Sequence, residues 1–214
     1  MSYERLTSDN AAVLFIDHQT GLANGVQTQS PPEFINNVRA LVRIAQIYKL
    51  PSIITTSSAD GPNGPIMPAV AEGLPEATIV HRPGEINAWD NKDFVAAVKK
   101  TGRKKLLIAG ISTEVCLAFV SLSARDAGYD VYAVLDASGT WNKLVENAAI
   151  ARMVQAVDPS RSPHADLPAA AEAGCGATIS GTPGQCPPAP ARRRSPATSP
   201  ARSTIGTRCP APHR

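Results

Sequence analysis

Three side chains carry the chemistry of nucleophilic attack in this sequence: Asp17, Arg82 and Cys116. Each stands just past a short apolar run. Ala11-Ala12-Val13-Leu14-Phe15-Ile16 ends at Asp17, Ala77-Thr78-Ile79-Val80 leads to Arg82, and Leu106-Leu107-Ile108-Ala109 leads through Gly110 to Cys116. A cysteine about three residues into a helix faces unpaired backbone N–H groups and the positive end of the helix dipole. Both favour thiolate, the nucleophilic form, so the sequence predicts an activated thiol. A carboxylate at the end of a buried strand is partly desolvated, which raises its affinity for a proton and suits Asp17 to the role of base. The backbone N–H of Cys116 and those of the turn before it offer an oxyanion site. Arg82 would stabilise the Asp17–Cys116 ionisation or hold an anionic group of a substrate. His18 neighbours Asp17, but alternation points it to the opposite side of the strand, where a structural role is expected. Asp136 is explained by the Ser138-Gly139-Thr140 turn that follows it.

The elements that must position these groups alternate regularly. Apolar runs predict strands at 11–16, 52–56, 77–80, 106–109 and 131–135. Helices are predicted from Pro32 to about Leu50, from an Asp90 cap to Gly102, from Thr113 to Ala127, and from Asn142 to Ala156. Residues 21–30, 57–68 and 81–89 read as loops. Strands alternating with helices give an α/β fold, a three-layer α-β-α domain with a mostly parallel sheet. Ligands in such folds bind at the carboxyl ends of the strands, where all three groups lie.

The 214 residues join two compositions near Ala156. From Val157 on there is no Phe, Tyr, Trp, Met or Lys, yet eleven of the nineteen prolines and three of the four cysteines lie there. Residues 1–156 read as one domain and 157–214 as a low-complexity, disordered tail. The net charge of +3 arises in that tail, with seven Arg against three acids, so it says nothing about the partners of the domain. Cys175, Cys186 and Cys209 lack zinc-like spacing, which leaves Cys116 as the one thiol in a structured setting. No HxH, HExxH or paired CxxC occurs, so no metal and no cofactor is expected. No apolar run reaches the length of a membrane span and the first residues lack a secretory pattern, so the expectation is a cytoplasmic protein without membrane contact. The Arg-rich tail lacks interleaved aromatics, and nucleic acid is not expected as a partner.

Six blocks in order resemble the isochorismatase-like cysteine hydrolase superfamily, and within it the YcaC-like branch. They are Val13-Leu14-Phe15-Ile16-Asp17-His18-Gln19, Thr55-Thr56-Ser57, Gly61-Pro62-Asn63-Gly64-Pro65, Arg82-Pro83-Gly84-Glu85-Ile86-Asn87-Ala88-Trp89-Asp90-Asn91, Ala109-Gly110-Ile111-Ser112-Thr113-Glu114-Val115-Cys116 and Asp136-Ala137-Ser138-Gly139-Thr140. The resemblance implies a Rossmann-like domain, an Asp17–Arg82–Cys116 triad and a cis peptide at Ile111–Ser112. It also implies a homo-oligomer and hydrolysis of a small amide, other C–N or ester substrate through a covalent acyl intermediate. Gln19, Asn87, Ser112 and Thr113 are the residues expected to bind substrate or the oxyanion. Much of the superfamily has Lys at the middle triad position. Arg stays charged and cannot take part in proton transfer as Lys can. The family also has a further edge strand and a C-terminal helix, which the text from Val157 does not supply. The switch resembles out-of-frame translation of GC-rich DNA, so a frameshift near codon 157 is expected. The alternative reading of the whole chain is an inactive or unstable member of the family, acting at most as a scaffold.

Overall fold

A computed structural model describes residues 4–157. Five strands form one parallel sheet: β1 (Ala11–Ile16), β2 (Ser52–Ser57), β3 (Thr78–Arg82), β4 (Lys105–Gly110) and β5 (Asp130–Ala133), in the order β3-β2-β1-β4-β5. The order reverses between β1 and β4, and a crevice opens there at the carboxyl ends of the strands. Asp17 follows β1 and the Cys116 turn follows β4, so the switch point lies between them.

Residues alternate between two cores. Val13 and Phe15 of β1, Ile54 of β2 and Ala109 of β4 pack under α2 (Pro31–Ile47), α3 (Pro68–Ala71) and residues near α1 (Thr20–Asn24). Ala12, Leu14, Ile16, Ile53, Leu106 and Ile108 face the other way, against α4 (Lys92–Lys100), α5 (Ala118–Asp126) and Met153 of α6 (Lys143–Val157). β1 is buried at every residue, which is why it reads as a continuous apolar run rather than an alternating one. The three-layer α/β reading therefore holds.

Several boundaries differ from the expectations. β3 runs on through His81 to Arg82, because those residues continue the ladder on Thr56 and Ser57 of β2. Asn91, not Asp90, caps α4; its Oδ1 accepts from the N–H groups of Asp93 and Phe94, each at 3.0 Å. A short 3-10 turn, Ala88–Asp90, precedes it. Residues 20–24 form a helical turn that overlaps the start of the stretch read as loop, 21–30. The expected helix from Thr113 opens with a π-helical turn, Thr113–Leu117, before α5. Val157, read as the first residue of the tail, is the last residue of α6; the rest of the tail, and the missing C-terminal strand and helix, fall outside the described residues. Among the described residues no helix is long and apolar enough to cross a membrane.

His18 lies fully buried between two rings. Its centroid is 5.3 Å from Phe15, edge-on, and 6.5 Å from Phe34, stacked. Its Nε2 donates to the carbonyl of Ala137 at 2.8 Å, which fixes the tautomer. Burial brings its pKa down from 6.5 to about 4, against smaller upward pulls from Ala137 and Asp17. The unfolded chain then binds more protons between those two values, so this residue adds stability as pH rises through the window and removes it as pH falls. The stability advantage of the wild type over His18→Asn is accordingly expected to shrink by as much as about 3 kcal/mol between pH 7 and pH 4 in urea melts; an advantage independent of pH would contradict a neutral buried imidazole.

Candidate active site

Strict alternation would place Asp17 beside Phe15, on the side away from Cys116. The chain avoids this through one left-handed residue: Asp17 itself has φ 57°. Asp tolerates that region better than most side chains. The reversal lets Ile16 and Asp17 face the same side and sends His18 into the opposite core. The turn is held by the Gln19 N–H on the Asp17 carbonyl at 2.8 Å.

Arg82 reaches Asp17 from two strands away. Neighbouring strands stand about 4.8 Å apart, so the side chain must cross β2, roughly 10 Å in all. Burial alternates along β3, with Val80 and Arg82 inward, and the guanidinium lies on the Asp17 side of the sheet. One terminal nitrogen, Nη2, donates to Asp17 Oδ2 in a fully buried ion pair, and Nη1 donates to the Glu85 carbonyl.

Cys116 arrives from the π-helical turn. Gly110 makes the approach possible: a Cβ there would stand 2.7 Å from the Leu117 amide nitrogen and 3.0 Å from the Cys116 carbonyl carbon. The Gly110 N–H donates to Ser138 Oγ at 3.0 Å, and that hydroxyl donates to the Val134 carbonyl at 2.7 Å. The Ile111–Ser112 peptide is cis, as the family resemblance implies. The Cys116 thiol donates to Asp17 Oδ2 at 3.3 Å, on the same oxygen that Arg82 holds. The structure thus brings Arg82 and Cys116 onto the same carboxylate oxygen of Asp17.

It also corrects the electrostatic expectation. The thiol is not activated at rest: burial pushes it well above its ordinary range, and the Asp17 charge and hydrogen bond push the same way. Arg82 and the Ser112 N–H pull it down, but less. Cys116 is only 8% exposed, so desolvation outweighs the helix-terminus effect.

The other expected site residues are held in the scaffold. Gln19 is fully buried; its Nε2 donates to the carbonyls of Ser57 (3.2 Å) and Gly64 (2.6 Å), and its Oε1 accepts the Ser57 N–H at 2.8 Å. Asn87 caps the 3-10 turn through the Trp89 N–H (3.1 Å) and donates to Ser123 Oγ at 3.0 Å. The Ser112 carbonyl accepts from the N–H groups of Val115 and Leu117, and the Thr113 N–H is taken by the Gly139 carbonyl at 3.1 Å. Thr113 Oγ1 is buried without a partner. Thr55 was not singled out from the sequence, yet its hydroxyl donates to Asp17 Oδ1 at 2.6 Å. The available signal was its place beside the end of β1, where Ile16 pairs with Thr55.

An isochorismatase domain profile matches residues 11–162, well over half of the chain. The chain belongs to the isochorismatase family. It is YcaC-like within it: 51% of 154 residues are identical to YcaC of Escherichia coli strain K12, over 72% of this chain and 74% of that protein. The crystal structure of that protein, described as an octameric hydrolase of unknown specificity, has a TM-score of 0.71 with 52% identity over 73% of this chain and 76% of its own. YcaC from Pseudomonas aeruginosa, solved with hexane-2,5-diol and covalent acrylamide, also has a TM-score of 0.71, with 56% identity over 73% of this chain and 77% of its own.

One prediction tests the contacts directly. Asp17→Asn removes a charge and an acceptor that both hold the thiol up, and leaves Arg82, which pulls it down. The pH midpoint for Cys116 alkylation, read on the Cys116 peptide by mass spectrometry, is expected to fall relative to wild type. A midpoint that stays or rises would contradict the contact.

Proposed function

We propose that this chain is a cysteine hydrolase of a small amide, other C–N or ester substrate. One observation carries the reading: a buried thiol donates its proton to a carboxylate oxygen that an arginine also holds. The Cys116 sulfur attacks the substrate carbonyl as its proton passes to Asp17. Arg82 remains charged throughout and holds the carboxylate in place. The tetrahedral oxyanion is taken by backbone N–H groups of the Ser112–Cys116 segment, of which the Thr113 amide is already engaged by the Gly139 carbonyl and the Val115 amide by the Ser112 carbonyl. Asp17 then gives its proton to the leaving nitrogen or oxygen, and water, deprotonated by Asp17, releases the acyl group from sulfur. The resting thiol suits this scheme, because thiolate forms only when the proton has an acceptor and the substrate is in place. The covalent acrylamide in the Pseudomonas aeruginosa relative is consistent with a nucleophilic side chain in that protein that adds to a small electrophile.

By the same likeness the chain assembles into a homo-oligomer in solution, as the octameric Escherichia coli protein does. The second reading, an inactive or unstable frameshifted member, is favoured by one feature. The profile match stops at residue 162 of 214, where the composition has already changed, and the chain covers 76–77% of its YcaC relatives.

A panel of small amides and esters separates the two. Hydrolysis of at least one by the full chain is expected, with an acyl mass on Cys116 and none in Cys116→Ala. A chain with no cooperative thermal melt and no turnover would favour the second reading; a cooperative melt with turnover that survives in Cys116→Ala would contradict the first.

A further inference from the structure

Asp17 has two carboxylate oxygens, and both Arg82 and Cys116 engage Oδ2. Something else must keep that oxygen turned toward them. Thr55 is bonded to Asp17 through both its hydroxyl and its backbone. The Asp17 N–H is shared between the Thr55 carbonyl, at 3.2 Å, and Thr55 Oγ1, at 3.3 Å. The same hydroxyl donates to Oδ1 at 2.6 Å. It serves as acceptor and donor at once, and Thr55 has no exposed surface.

We propose that Thr55 is the positioning residue of this site: its hydroxyl holds Oδ1 of Asp17 and so fixes Oδ2 toward the Cys116 sulfur. The inference rests on the cysteine-hydrolase reading above. The parallel register sets it up, since Ile16 pairs with Thr55 and the residue after Ile16 is Asp17. Parity does the rest: Thr55 lies on the Ile53 side of β2, the side toward which Val80 and Arg82 turn inward from β3. Arg82 crosses β2 on that side, so residue 55 must also be small enough to leave its path open. Threonine meets both demands, with a hydroxyl on a short β-branched side chain suited to a strand. Since the hydroxyl is spent on Asp17, it acts through the carboxylate and does not touch substrate.

The test is the pH profile of Cys116 alkylation by iodoacetamide in the full chain, read on the Cys116 peptide, for wild type, Asp17→Asn, Thr55→Val and Thr55→Ser. Thr55→Val keeps the shape and removes the donor. Without the hold on Oδ1 the Asp17–thiol hydrogen bond loosens, and the midpoint is expected to fall by about one pH unit, a tenfold change in proton affinity. Thr55→Ser restores the hydroxyl and is expected to restore the wild-type midpoint. Thr55→Ala carries the same expectation as Val and serves if Val does not give a cooperative melt. A Val or Ala midpoint equal to wild type, with Asp17→Asn shifted, would overturn the role of Thr55 alone; a Ser variant that behaves like Val would do the same. If Asp17→Asn is unshifted as well, the proton pair beneath the hydrolase reading has failed.

Discussion

A single buried ion pair organises this site. The Arg82 guanidinium and the Asp17 carboxylate meet out of water, across an intervening strand. Two such charges are costly to desolvate, and their attraction compensates only when the geometry is close and the remaining bonds are filled. Here Thr55 fills one carboxylate oxygen, the Cys116 thiol adds to the other, and the Glu85 carbonyl takes the second terminal guanidinium nitrogen, while Nε alone is left without a partner. Leaving either charge unpaired would cost about 3–5 kcal/mol. That energy ties together the ends of β1 and β3, the loop after β3 and the turn after β4.

Two backbone features let these parts meet. The left-handed conformation at Asp17 breaks the alternation of β1, so the carboxylate joins the side where Arg82 and Cys116 lie. At Gly110 the absence of a side chain lets the π-helical turn settle on the end of β4. Both lie at the switch point of the sheet, where the strand order leaves the crevice.

The alternation of strands and helices was legible because the buried strands are apolar runs and the helices carry amphipathic faces. The Asp17, Arg82 and Cys116 positions were legible because each lies at or beyond the end of an apolar run. Four things were not. Strand alternation could not reveal that Asp17 would reverse its face, because a positive φ at Asp leaves no pattern in the residues around it. The helix-start position of Cys116 suggested a thiolate, but the desolvation that outweighs it comes from packing between distant segments. Gln19 and Asn87 read as groups for a substrate; in the structure the Gln19 amide bonds backbone groups of Ser57 and Gly64, and the Asn87 amide bonds the Trp89 N–H and the Ser123 hydroxyl. Thr55 gained its role only through register with β1.

In the proposed reaction the chemistry would start from a protonated thiol already hydrogen-bonded to Asp17, the group proposed to take its proton. A free thiolate in a buried pocket would pay its desolvation at all times; a thiol defers that cost to the moment of attack. The S–H stretching band of Cys116, isolated as the Raman difference between the wild type and Cys116→Ala at neutral pH, tests this most directly. The account predicts a band that is present, lowered by hydrogen bonding, and moved toward the free-thiol position in Asp17→Asn. No S–H band for Cys116 at neutral pH, meaning a resting thiolate, would contradict it.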